Sequence, residues 1–202
     1  MSVILDAGPF LNFLAVGQQG VLVELAASRQ LQLAVPTRVD REILGVARSA
    51  RFRRTPAQST WLKLKSAQRV DVLDDTLTEQ ELIDAVARTS GMPAEQRVRD
   101  GKSLGEIMVL AHASVLVQRG LAVFVLIDDG DGRRRARREQ AWLDSAGAPG
   151  RLTLWSTPQV LRSADDSWIV GGHSRQVVYD QLRQFDDGLP AMSLTTTIGS
   201  AG

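Results

Sequence analysis

No cysteine stands among the 202 residues, which removes disulfides, thiolate nucleophiles and zinc–thiolate centres together and is compatible with a reducing compartment. Histidine is nearly absent as well. Of the two, His112 lies on an apolar helix and reads as a core residue, His173 reads as a surface residue, and neither has a second imidazole at metal-ligand spacing. Net charge is close to nothing: 24 Lys and Arg stand against 23 Asp and Glu, so bulk charge neither demands nor excludes a nucleic-acid partner, and local clusters must decide. No apolar run approaches the roughly 20 residues that span a bilayer. The opening MSVILDAG has no basic n-region and meets an acid at position 6, so a cytoplasmic protein without a membrane partner is expected. There is neither an internal repeat nor a long low-complexity segment.

What remains is an ordinary globular composition, 44% hydrophobic and 23% charged, sized for one domain or one domain with an extension. Val3, Ile4 and Leu5 make a short apolar run of the kind buried on both faces of a parallel sheet. Asp6 ends it, Gly8 and Pro9 stop the extended run, and Phe10, Leu11, Phe13 and Leu14 recur at helical spacing. One carboxylate is thereby set at the carboxyl end of a strand, where open α/β sheets bind ligands, although a lone Asp there also suits a turn or helix cap.

Further strands are predicted over 31–35, 69–73, 122–127 and 152–155, with helices between them. That alternation implies an α/β fold with a parallel sheet and helices on both faces. Thr37 with Asp40, Thr78 with Glu81, and Ser103 with Glu106 each resemble a capping box at a helix start. Glu42 follows the first of these and reads either as a solvated glutamate near a helix amino end or as a site residue. Glu106 is the single acid on a helix, 104–118, that is apolar almost all the way round and should be buried on the sheet. The strongest strand closes in Asp128-Asp129-Gly130-Asp131, more acids than a turn requires.

Two arginine clusters stand out. Arg51, Arg53 and Arg54 surround Phe52, a pattern that can grip phosphate and stack on a base, or simply be a solvated face. Arg133, Arg134 and Arg135, with Arg137 and Arg138 beyond them, begin a helix whose dipole they oppose, and they read as neutralising the acidic turn, as contacting an RNA phosphate backbone or as a solvated face. A last helix is predicted over 168–185, and a disordered tail from Asp186 onward.

Taken in order, ILDAGPFLNFL, PTRVDREI, SLGEIMVLAHA and VLIDDGDGRRRARR resemble the four acidic motifs of the PIN-domain ribonucleases, in particular the VapC-like toxins of type II toxin–antitoxin modules. The third acid is Glu where Asp is more frequent in that family. The resemblance implies a three-layer α/β/α sandwich with a sheet of about five parallel strands, and it matches Asp6, Glu42 and Glu106 to the first three acids. The fourth falls on Asp128 or Asp129, with Asp131 behind them. It implies Mg²⁺ or Mn²⁺ at Asp6, Glu106 and Asp128 or Asp129, in keeping with the preference of hard cations for oxygen ligands. It also implies RNA as substrate, a cognate antitoxin as partner and room for a homodimer. On this reading residues 1–157 form the nuclease-like domain, 158–185 a helical extension and 186–202 the tail. Two other classes fit the acids: a non-catalytic RNA- or protein-binding module of the same fold, and a receiver-like phosphoacceptor using Asp74 or Asp75, for which no late Lys is present.

Overall fold

The computed structural model describes residues 1–186, 188–191 and 193–194. It is an α/β fold in which five parallel strands form one sheet between layers of helices. The strands are β1 (Ser2–Leu5), β2 (Gln32–Pro36), β3 (Val70–Leu73), β4 (Ala122–Leu126) and β5 (Arg151–Trp155), in the order β3-β2-β1-β4-β5. The chain therefore winds outward from β1 through β2 to β3, then returns to place β4 on the other side of β1. Ile4 registers with Ala34 on one side and Val125 on the other, and Val3, Ile4 and Leu5 are wholly buried. The reversal of winding between β1 and β4 opens a crevice at their carboxyl ends, the place where sheets of this class take ligands.

The helices after β1 are α1 (Ala7–Ala15) and α2 (Gln19–Ser28); α3 (Thr37–Val46) and α4 (Ala57–Ser66) follow β2; α5 (Gln80–Ser90), α6 (Ala94–Asp100) and α7 (Leu104–Gln118) follow β3. Beyond β4 lies α8 (Gly130–Ser145), and beyond β5 lie α9 (Thr157–Ser163) and α10 (Arg175–Arg183). Helix α7 is apolar all round because it is covered twice. Val109, Leu110, Ala113 and Val117 belong to the main core over the sheet, while Ile107, Met108, Ala111 and Val115 pack with Leu82, Val86 and Ala94 in a second core. This places its amino end, and Glu106, over the crevice side of the domain.

Gly91, at φ 72°, ends α5, and Pro93 is the N-cap of a separate short helix, α6. Two sequence expectations need correction. The single helix expected over 168–185 is interrupted: Gly171 and Gly172 have φ of 82° and 66°, and α10 begins only at Arg175, capped by the Ser174 hydroxyl, which accepts from Val177 N–H. The segment from Asp186 is not a free tail as far as it is described. Leu189 and Leu194 are buried in the main core, and Tyr179 donates its hydroxyl proton to the Pro190 carbonyl. Its remainder, 195–202, lies outside the described residues. Residues 158–185 likewise pack on the main core through Leu161, Ile169, Val178 and Leu182. No single helix among the described residues is long and apolar enough to cross a membrane.

Candidate active site

Asp6 follows β1 directly, its backbone N–H bonded to Leu126 O at the end of β4, and it stands in extended conformation as the N-cap of α1. Its side chain makes no cap hydrogen bond, so the capping explanation for this acid fails. Burial is the main influence on its carboxyl group. The Ala7 N–H offsets part of that penalty, the charges of Glu106, Glu42 and Asp128 add to it, and the pKa is pushed up from 3.8 to about 7. Those three named charges come from α7, α3 and the end of β4, so four elements converge on the crevice.

The neighbouring acids are each held from behind. Asp128 accepts from the Thr157 backbone N–H at 2.9 Å and from its hydroxyl at 2.5 Å. Burial raises its pKa, the two Thr157 bonds oppose the rise, and the charge of Asp186 adds to it. Asp129 caps α8 by accepting from Gly132 N–H at 2.8 Å. Asp131 is exposed and pairs with Arg134, away from the cluster. Asp128 is thus the acid that shares the environment of Asp6, whereas Asp129 serves the turn and bears on Glu106.

Glu106 does not take part in a capping box. Ser103 is in the left-handed region at φ 51° and its side chain caps nothing. Instead the carboxylate lies back toward α8, with Oε1 3.1 Å from Arg135 Nε. That contact lacks hydrogen-bond alignment, which leaves Oε1 buried and without a hydrogen-bond partner. Burial raises the Glu106 pKa; Arg135 opposes the rise and Asp129 adds to it. Glu42 lies in the second turn of α3 rather than at its start, half-buried, with Arg38 Nε 3.0 Å away.

Two glycines make room for these carboxylates. A Cβ on Gly105 would fall 2.5 Å from Glu42 Oε2, and one on Gly132 would fall 3.1 Å from Glu106 Cδ and 2.8 Å from Ile127 Cγ2. Any larger residue at either place would push a carboxylate out of the cluster or a side chain out of the core.

Among the described residues, no three Asp, Glu or His side chains are set to hold an ion as they stand. The donor set nonetheless suits a hard cation. It is all oxygen, it carries the mutual repulsion a divalent ion would relieve, and Glu106 Oε1 is an acceptor still wanting a partner. Asp6, Glu106 and Asp128 are the residues that would hold such an ion, with Glu42 beside them.

The expected RNA-contacting residues divide. Arg133 donates from Nη1 to the carbonyls of Ile127 and Trp155 and so clamps the ends of β4 and β5 together. Arg135 is engaged with Glu106, and Arg134 is exposed beside Asp131. In the other cluster Phe52 cannot serve as a stacking platform: it is 5% exposed and packs on Phe185, its centroid 5.2 Å away. Arg51 donates to Gln184 O, while Arg53 and Arg54 are exposed.

Sequence reasoning missed two contributors. Thr157 was visible only as a helix start, yet it is buried and fixes Asp128. Asp186 was assigned to the tail, yet its carboxylate accepts from the buried Asn12 amide at 3.1 Å and from Gly188 N–H at 2.9 Å. The receiver-like alternative loses its geometry, because Asp74 and Asp75 follow edge strand β3, and Asp75 is taken up by Arg38 N–H and by His112 Nε2 at 2.9 Å. His112 is thus a partly buried hydrogen-bond partner of Asp75 rather than a core residue. Compared with family models, with curated proteins and with solved structures, the chain has no match.

Proposed function

We propose that this chain is a metal-dependent endoribonuclease that hydrolyses RNA phosphodiester bonds, acting as the toxin of a toxin–antitoxin pair. The observation that carries the catalytic part is the convergence of Asp6, Glu42, Glu106 and Asp128 on the β1/β4 crevice, where burial first, and the charges of the other three after it, raise Asp6 to about 7. Functional sites are where such perturbed groups collect. A polyanionic strand cannot approach this cluster unless a cation neutralises it, and Mg²⁺ or Mn²⁺ supplies a Lewis acid for the phosphoryl oxygens and lowers the pKa of an attacking water.

The chain's own residues have distinct parts. Asp6 and Asp128 would hold the cation, with Thr157 keeping Asp128 in one orientation. Glu106, whose Oε1 has no hydrogen-bond partner, would complete the set, and Arg135 beside it would pair with a substrate phosphate. Glu42, beside Arg38, would complete the cage or orient the attacking water. The toxin part rests on the motif resemblance, and co-expression with a small protein encoded by the neighbouring gene should suppress the activity.

A second reading is favoured by one feature: Glu42, Glu106, Asp128 and Asp129 all have partners within the fold, as structural acids of a non-catalytic RNA- or protein-binding module would. Incubating single-stranded RNA with the full chain in Mn²⁺, in Mg²⁺ and in EDTA separates the two. Cleavage with either ion, lost in EDTA and in Asp6→Asn, is the expected result. Intact RNA in all three conditions, together with no calorimetric heat of ion binding, would overturn the catalytic reading.

A further inference from the structure

Helix α8 carries more positive charge than the fold uses. Arg133 clamps strand ends and Arg135 meets Glu106, but Arg137 and Arg138 have no ion pair among the described residues, and both are exposed. Two shallow depressions lie along this helix. One, of about 410 Å³, is lined by Arg134, Arg135, Arg137 and Arg138 together with Asp131, which pairs with Arg134; the other, of about 270 Å³, shares Arg135 and Arg138 and runs on to Trp142. Arg135 and Arg138 line both, so the two adjoin along α8 as a basic trough. It starts where Arg135 touches Glu106, at the margin of the carboxylate cluster, and ends at an indole that is 36% exposed.

That indole is held in place. The Arg88 guanidinium carbon lies 3.5 Å from its ring centroid, and Arg88 is itself fixed by Glu139, at 2.7 Å, and by the Ser114 hydroxyl, at 2.8 Å. An exposed aromatic that has already lost its rotamer freedom is a good stacking surface, because binding costs it little further ordering. Arg134, Arg138 and Trp142 stand at intervals of four and so share one face of the helix. At 1.5 Å per residue the stripe is ~12 Å long, which matches roughly two nucleotides of an extended strand.

We propose that this trough is a binding site for single-stranded RNA, in which Arg134, Arg137 and Arg138 take successive phosphates and one base, about two nucleotides from the scissile phosphate, stacks on Trp142. The choice of RNA, and of the carboxylate end as the place of cleavage, rests on the nuclease reading. The trough itself rests on charge, spacing and the fixed indole. Single strands fit because a duplex keeps its bases stacked inside and offers an aromatic side chain nothing to lie against.

Binding is measured in EDTA, where cleavage plays no part, using a hexamer of uridine and tryptophan fluorescence as the readout. Of the four tryptophans, Trp61 is wholly buried, Trp155 is 9% exposed and Trp168 is partly buried away from α8, so the part of the quench that disappears in Trp142→Leu is the part that reports on Trp142. The single strand should quench the wild type. Trp142→Leu should lose that quench and about tenfold in affinity, with Trp142→Phe restoring most of the affinity. Replacing Arg134 and Arg138 together with Gln should reduce the slope of log K against log salt by about 1.4. The proposal is overturned if the quench survives in Trp142→Leu, if Phe restores nothing while both variants melt like the wild type, or if the salt slope is unchanged. It is also overturned if duplex RNA binds as tightly as the hexamer, or if the corresponding deoxyribose strand binds more tightly. Binding as described without any cleavage in Mn²⁺ would keep the trough and remove the nuclease reading.

Discussion

Replacing Asp6 with Asn should make the metal-free protein more stable at neutral pH, the opposite of what a capping acid would do. Below pH 3.8 Asp6 is protonated whether the chain is folded or not, and above about 7 it is ionised in both states. Between those values the folded chain holds a proton that the unfolded chain has released, so wild-type stability falls as pH rises through this window. The shift from 3.8 to about 7 spans about three pH units. At about 1.4 kcal/mol per unit this is at most about 4 kcal/mol, and side-chain relaxation with water entry reduces it to about 2 kcal/mol. Asn keeps the shape and cannot ionise, so the difference between variant and wild type should be near zero at pH 4 and grow to about 2 kcal/mol in favour of the variant by pH 8. Urea denaturation of both proteins in EDTA across this range isolates the effect, since the remaining carboxylates titrate in both. Mg²⁺ should narrow the gap by stabilising the wild type alone. A gap that stays constant with pH, or a variant about 1 kcal/mol less stable throughout, would refute the cluster and return Asp6 to a structural role.

Gly105→Ala should leave the melting temperature level or slightly higher, because alanine is favoured in a helix by up to about 1 kcal/mol, yet it should depress RNA cleavage by displacing Glu42; equal losses of stability and activity would contradict the cradle. Arg88→Ala should cost about 3 to 5 kcal/mol in urea denaturation, since it leaves Glu139, 3% exposed, without its partner, and a cost under about 1 kcal/mol would show the pair to be dispensable. Arg133→Gln should destabilise the fold and leave the salt dependence of RNA binding unaltered, whereas a flattened salt slope at unchanged stability would return Arg133 to the RNA-contacting set.

The five strands could be read from the sequence within about a residue because β1 and β4 are compact apolar runs closed by acids, while β2, β3 and β5 carry apolar residues at alternate positions. The acids after β1 and β4 were legible for the same reason. What failed was local capping. Of three apparent boxes none forms, since each side chain found a better partner across the fold: Thr37 donates to Leu73 O, Glu81 meets Arg119, and Glu106 meets Arg135. A box is a statement about four residues, and a tertiary contact of one of them is invisible at that range. The same limit hid the burial of Phe52 against Phe185 and the return of Asp186 to Asn12, pairs separated by most of the chain.

The tie between Asn12 and Asp186 has a consequence for biosynthesis. The first helix is finished early, but the carboxylate that bonds its amide emerges from the ribosome 174 positions later. At about 5 to 20 residues per second, the stretch from Asp128 to Asp186 alone occupies roughly 3 to 12 seconds of translation. Throughout that interval Asn12 has no native partner, Phe52 lacks its ring neighbour, and Leu189 and Leu194 are absent from the core. The nascent chain thus carries an unfinished crevice until Asp186 has been made, and a chain released before that point would display in solution the apolar surface that Phe185, Leu189 and Leu194 help to cover.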